Sequence, residues 1–121
     1  MVAMNHIQEL SRRIAEEFQP DKIILFGSHA YGVPQEHSDV DLLVIMPFEG
    51  KGFRKGLEIL NRLNPKVSVD VVVRRPDDAA RRYKECDPLI REAFDRGIVL
   101  YERNRWANDS RDAAELGSTA I

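Results

Sequence analysis

The chain has 121 residues, 43% of them apolar, with 18 Lys and Arg against 20 Asp and Glu. That length suits one compact core, no window approaches the ~20 apolar residues of a membrane-spanning helix, and a net charge of −2 gives no basic face, so direct nucleic-acid binding is not expected. A single cysteine, Cys86, rules out an intrachain disulfide, and no secretory signal opens the chain, so a cytoplasmic protein with an inert thiol is expected.

Ile7, Leu10, Ile14 and Phe18 recur at helical spacing, and Asn5 with Gln8 resembles a capping box. Pro20-Asp21 ends that helix, and Lys22 to Phe26 (KIILF) reads as a strand closing at Gly27. Val40 to Met46 is a second strand. Phe53, Leu57, Leu60 and Leu63 mark a helix that Asn64-Pro65 stops, and Val67 to Val73 (VSVDVVV) is a third strand. Pro76 suits the first position of a helix, with Asp77 and Asp78 at its positive end. A further helix follows Pro88, with Leu89, Ile90, Ala93 and Phe94 inward and Gly97 as its stop, before a short strand over Ile98 to Tyr101. Residues 1–102 thus form one α/β (α+β) domain, a small mixed sheet flanked by helices. Residues 103–121, poor in apolar periodicity, are expected to be a tail that is mobile or docked on a partner.

Two acids precede the second strand. Residues two apart on a strand share a face, so Asp39 and Asp41 project together, with Leu43 and Ile45 continuing that face into the core. Either they are solvated turn residues, or a cation sits between them. Carboxylates ~6–7 Å apart repel each other, and a hard cation such as Mg²⁺ relieves that repulsion. Asp70 lies inside an apolar strand, where a charge needs a partner: a buried Arg, or the same metal site if the third strand lies beside the second. Three such carboxylates could hold two ions ~3.5–4 Å apart.

Gly27-Ser28 leaves the KIILF strand directly, and Ser28 is a good helix N-cap. A strand-to-helix turn with glycine lets phosphate approach the backbone, although a plain capped turn has the same appearance. Gly27 and Gly32 have Walker A spacing, but Val33-Pro34 stands where Lys-Ser/Thr is required, so this is no P-loop.

Gly27-Ser28, Gly32, Ser38-Asp39-Val40-Asp41-Leu42 and a lone Asp70 together resemble the nucleotidyltransferase superfamily typified by DNA polymerase β. The length and the GIVLYE ending resemble its minimal nucleotidyltransferase (MNT) branch, many of whose members are antitoxins paired with HEPN-domain ribonuclease toxins. The resemblance covers roughly Lys22 to Glu102. It implies the polymerase β-like fold, with Gly27 and Ser28 binding the terminal phosphates of ATP as co-substrate. Asp39 and Asp41 would hold two Mg²⁺ ions, and Asp70 would bind the catalytic ion and help activate an incoming hydroxyl. The family often carries Arg after Gly-Ser, where this chain has His29 and Tyr31; Lys51, Arg54 or Lys55 are candidate substitutes, against the plainer reading of a solvated helix start. His29 and His37 read as surface residues, since a hard-oxygen site needs no imidazole.

The implied reaction is transfer of AMP to a hydroxyl, with pyrophosphate leaving. Relatives that modify small molecules or tRNA carry a second domain for the acceptor, and 121 residues leave no room for one. The expected acceptor is therefore on another scaffold, such as a tyrosine of a cognate HEPN toxin. Two alternatives stand beside it: a steric binding antitoxin with a vestigial site, and a small-molecule or RNA nucleotidyltransferase that borrows an acceptor domain from another chain.

Overall fold

The structure, a computed structural model, describes residues 2–103. Its elements run α1 (Met4–Phe18), β1 (Lys22–Phe26), α2 (Ser28–Tyr31), β2 (Val40–Ile45), α3 (Gly52–Leu63), β3 (Val69–Arg74), α4 (Pro76–Lys84), α5 (Pro88–Arg96) and β4 (Ile98–Glu102). The strands form one mixed sheet in the order β3-β2-β1-β4. β1 is antiparallel to both β2 and β4, while β2 and β3 are parallel. Parallel neighbours need a crossover, and α3 supplies it.

Strand alternation divides the core in two. Ile23, Leu25, Val40, Leu42, Val44, Val69 and Val73 point to one face, where Ile7, Leu10 and Ile14 of α1 and Ile59 and Leu63 of α3 cover them. Ile24, Leu43 and Ile45 point to the other, under Ala79 of α4 and Ile90 and Ala93 of α5. Both faces of the central strands are thereby dry, which is why β1 and β2 read as unbroken apolar runs.

Two local expectations need correction. The capping box at Asn5 and Gln8 does not form: α1 begins at Met4 with Ala3 as N-cap, so Asn5 already has helical backbone and its side chain cannot cap. In α3 the inward face is Gly56, Ile59 and Leu63, leaving Phe53 64% and Leu57 51% exposed. The reason is close packing on β3: a Cβ at Gly56 would lie 2.8 Å from the Val71 carbonyl oxygen, and one at Gly52 would lie 2.7 Å from that of Val73. Apolar side chains on that stripe would push the helix away. Gly97 ends α5 as expected, and with φ −74° its role is one of space: its missing Cβ leaves room for Ile24 and the Leu25 carbonyl, 2.6 and 2.7 Å from where it would stand.

The second half follows its turn chemistry. Pro76 opens α4, with Asp77 and Asp78 in its first turn as expected. Asp87 caps α5, accepting the Leu89 and Ile90 N–H groups at 3.0 and 3.2 Å. Phe94 is only partly covered and meets Tyr83 edge-on, centroids 5.9 Å apart. After β4 the Arg103 N–H donates to the Asp21 carbonyl at 2.8 Å. Apart from Arg103, the expected tail lies outside the described residues.

Candidate active site

The acids gather at one end of the sheet. Phe26, the last residue of β1, pairs with Asp41, and the parallel register of β2 with β3 sets Asp41 directly opposite Asp70. Neighbouring strands lie ~4.8 Å apart, so these are adjacent backbone positions. Asp41 shares a face with Leu43 and Ile45, and Asp70 shares one with Val72, both on the α4/α5 side. Asp39 stands just ahead of β2, two residues from Asp41 and exposed.

Asp70 is not the buried charge that its apolar strand suggested. β3 is an edge strand and Asp70 is its second residue, so water reaches the carboxylate and it is exposed. The half-buried acid is Asp41. Burial pushes its pKa up to about 6, and the Asp70 and Asp39 charges push the same way against a smaller opposing pull from His29. Asp41 is therefore coupled to both other acids. Among the described residues no group of three His, Cys, Asp or Glu side chains is placed to hold a metal ion. The carboxylates of Asp41 and Asp70, on adjacent strands, are the donor type that suits a hard cation such as Mg²⁺.

The Gly-Ser turn packs against the same carboxylate. Gly27 adopts φ 79°, and a Cβ there would collide with the Asp41 carboxylate. The expected cap shifts by one residue: Gly27 is the N-cap and Ser28 the first residue of the single-turn α2. The Gly27 carbonyl accepts the Ala30 and Tyr31 N–H groups at 3.0 and 3.2 Å. Gly27 thus serves two needs at once, a backbone conformation and a close approach to Asp41.

His29 is more engaged than a surface residue. Its Nε2 accepts the Val2 N–H at 3.2 Å, which leaves Nδ1 as the protonated nitrogen, donating to the Asp39 carbonyl at 3.1 Å. The imidazole thereby ties the segment ahead of α1 to the Asp39 backbone. His37 and Cys86 are exposed, as expected. Lys51 and Arg54 stand at the start of α3, away from the acids. α3 runs back along β3 with Gly52 at Val73 and Gly56 at Val71, so its start lies far from Asp70. Lys55 is moreover occupied by Glu58 at 3.0 Å and by the Phe18 ring at 5.7 Å. The guanidinium that does stand beside α2 belongs to Arg96, 4.5 Å from the Tyr31 ring centroid.

The sequence model described as the nucleotidyltransferase domain matches residues 7–100, most of the chain. The chain belongs to that family. This nucleotidyltransferase is 32% identical over 115 residues to the "Putative protein adenylyltransferase MJ1305" of Methanocaldococcus jannaschii, covering 86% of this chain and 76% of the relative. Its fold resembles that of a nucleotidyltransferase from Sulfolobus solfataricus, with a TM-score of 0.59 at 19% identity over 84% and 81% of the two chains. It also resembles a chain of a toxin–antitoxin crystallised with AMP-PNP, with a TM-score of 0.53 at 18% identity over 80% and 74% of the two chains. The polymerase β-like fold is thus confirmed. Among the described residues no helix is long and apolar enough to cross a membrane.

Proposed function

We propose that this nucleotidyltransferase moves AMP from ATP to the hydroxyl of a partner protein, a tyrosine of a cognate HEPN toxin, and so acts as an antitoxin. The observation that carries this reading is the register of Asp41 opposite Asp70, with Gly27 seated on the Asp41 carboxylate. It sets two acids and a glycine turn at one end of the sheet. Support for the donor and acceptor comes from likeness to an adenylyltransferase and to a toxin–antitoxin crystallised with AMP-PNP.

Asp39, Asp41 and Asp70 would hold two Mg²⁺ ions, whose chemistry is to neutralise phosphate charge and stabilise the attacking and leaving oxygens. Gly27 and Ser28 bind the terminal phosphates through the turn. The acceptor oxygen bonds to the α-phosphorus as the bond from that phosphorus to the bridging oxygen breaks. Pyrophosphate leaves with the electron pair, and the hydroxyl proton passes to Asp70, an exposed acid on an edge strand. Positioning and electrostatics do the work, with no covalent enzyme intermediate.

The test is co-expression with the candidate toxin followed by its intact mass. Wild type should add one adenylyl increment per modified tyrosine. Asp70→Asn should keep most nucleotide binding and partner docking yet lose transfer by two or more orders of magnitude, roughly the ~3 kcal/mol scale of one transition-state contact. If Asp70→Asn rescues growth fully and wild type never changes the toxin's mass, the steric antitoxin is the correct reading. Transfer to a small molecule or RNA in place of the toxin would instead indicate an acceptor domain on another chain.

A further inference from the structure

Resting on that reading, we propose that Arg96, stacked on Tyr31, is the residue that receives the β- and γ-phosphates of the nucleotide. The need for such a group is electrostatic. Three carboxylates and a triphosphate of about −4 exceed the charge of two divalent ions by about three. A cation from the protein is required, and neither His29 nor the cluster at the start of α3 provides it. His29 uses both ring nitrogens on backbone groups, and Lys51 and Arg54 lie at the far end of β3.

Three observations place Arg96. It is the last residue of α5, on the sheet face to which Asp41 and Asp70 belong. The next residue, Gly97, fits against the Leu25 carbonyl, and Ile98 pairs with Leu25, two residues ahead of Gly27. Its guanidinium lies 4.5 Å from the centroid of Tyr31, which belongs to the turn that Gly27 caps. Burial raises the Tyr31 phenol's pKa, the Gly27 backbone opposes that shift, and the Glu92 carboxylate adds to it, so the ring lies among these groups. The contact with the ring face holds the guanidinium beside the turn, and apart from the long ion pair with Glu92 its N–H groups are open to phosphate oxygens. Arg96 is not otherwise committed: its side chain is 59% exposed and its ion pair with Glu92 is long, at 3.8 Å.

The experiment is calorimetric titration of the whole chain with Mg²⁺–ATP and, separately, with AMP, which lacks the β- and γ-phosphates. Arg96→Gln should weaken ATP about tenfold or more while AMP changes less than twofold, and Arg96→Lys should recover part of the loss. Tyr31→Ala should weaken ATP as well, and the double variant should be no worse than Arg96→Gln alone, because the ring acts through the guanidinium. Glu92→Gln, which releases Arg96 from its ion pair, should tighten ATP. Equal ATP affinity in Arg96→Gln and wild type overturns the proposal, as does an equal loss for ATP and AMP. Arg96-dependent ATP binding without any AMP transfer would overturn the transfer reading and leave this one standing. A wild type that binds no ATP overturns both.

Discussion

Asp41 is at once the most sequestered of the three acids and the one closest to the Gly27 backbone, so its charge is costly to the folded chain. An unfolded Asp titrates near 3.8, whereas here burial and the two neighbouring carboxylates hold it near 6. The folded state therefore binds this proton more tightly than the unfolded state does. Its contribution to metal-free stability is greatest below about pH 4 and is lost as pH rises through 6. Asp78 and Asp87 run the other way. The Arg82 and Arg81 side chains draw the Asp78 carboxyl down against its desolvation, and for Asp87 the Ile90 backbone does so first, so their contributions fade on acidification. A pH profile of wild type alone mixes these effects, but a comparison with Asp41→Asn isolates one. In urea melts with chelator, Asp41→Asn should be more stable than wild type by about 1–2 kcal/mol at pH 7, after discounting for solvent screening, and about equal at pH 4. A large loss of stability at pH 7 would make Asp41 a structural residue.

At the scale of elements, α3 shows what single-chain patterning can and cannot reveal. Its extent follows from helical spacing and the Asn64-Pro65 stop, yet the face it buries is defined by what it lacks, side chains at Gly52 and Gly56. Two effects compete at Gly56: alanine would gain ~1 kcal/mol of helix propensity but bring a Cβ to 2.8 Å from a strand carbonyl that cannot easily move. The clash should win, so Gly56→Ala should lower the urea midpoint, by a net ~1 kcal/mol or more; a rise would show that α3 can step back without cost. The strands and the two proline-opened helices were legible because alternation and turn chemistry are local. The placement of Asp41 beside Asp70 was legible too, since one assumption about strand adjacency determines it. Asp70's exposure was not, because edge position depends on sheet order. His29's tie to Asp39 and the Arg96–Tyr31 stack were equally hidden; both join distant parts of the chain, and no residue type or spacing announces them.

At the scale of the molecule, two dry sheet faces hold the strands rigid, while the acids stand at the sheet end where β1 stops and β2 and β3 begin. The stability that burial gives the core therefore depends little on the site, and the site itself opposes folding through like-charge repulsion at Asp41. A ligand that neutralises the acids removes that penalty and also binds only the folded chain. At a hundredfold excess over its dissociation constant such a ligand adds ~2.7 kcal/mol, worth on the order of 10 °C in a domain of this size. Mg²⁺–ATP should accordingly raise the melting temperature well beyond either Mg²⁺ or ATP alone, and the rise should be largest near pH 7, where Asp41 is ionised. Asp41→Asn should start from a higher metal-free melting temperature and gain much less. Differential scanning fluorimetry of both proteins at pH 5 and pH 7 makes the comparison. If ATP raises the melting temperature equally with Mg²⁺ and with chelator, the carboxylates do not act through a metal, and phosphate binding rests on the Gly27 turn and Arg96 alone.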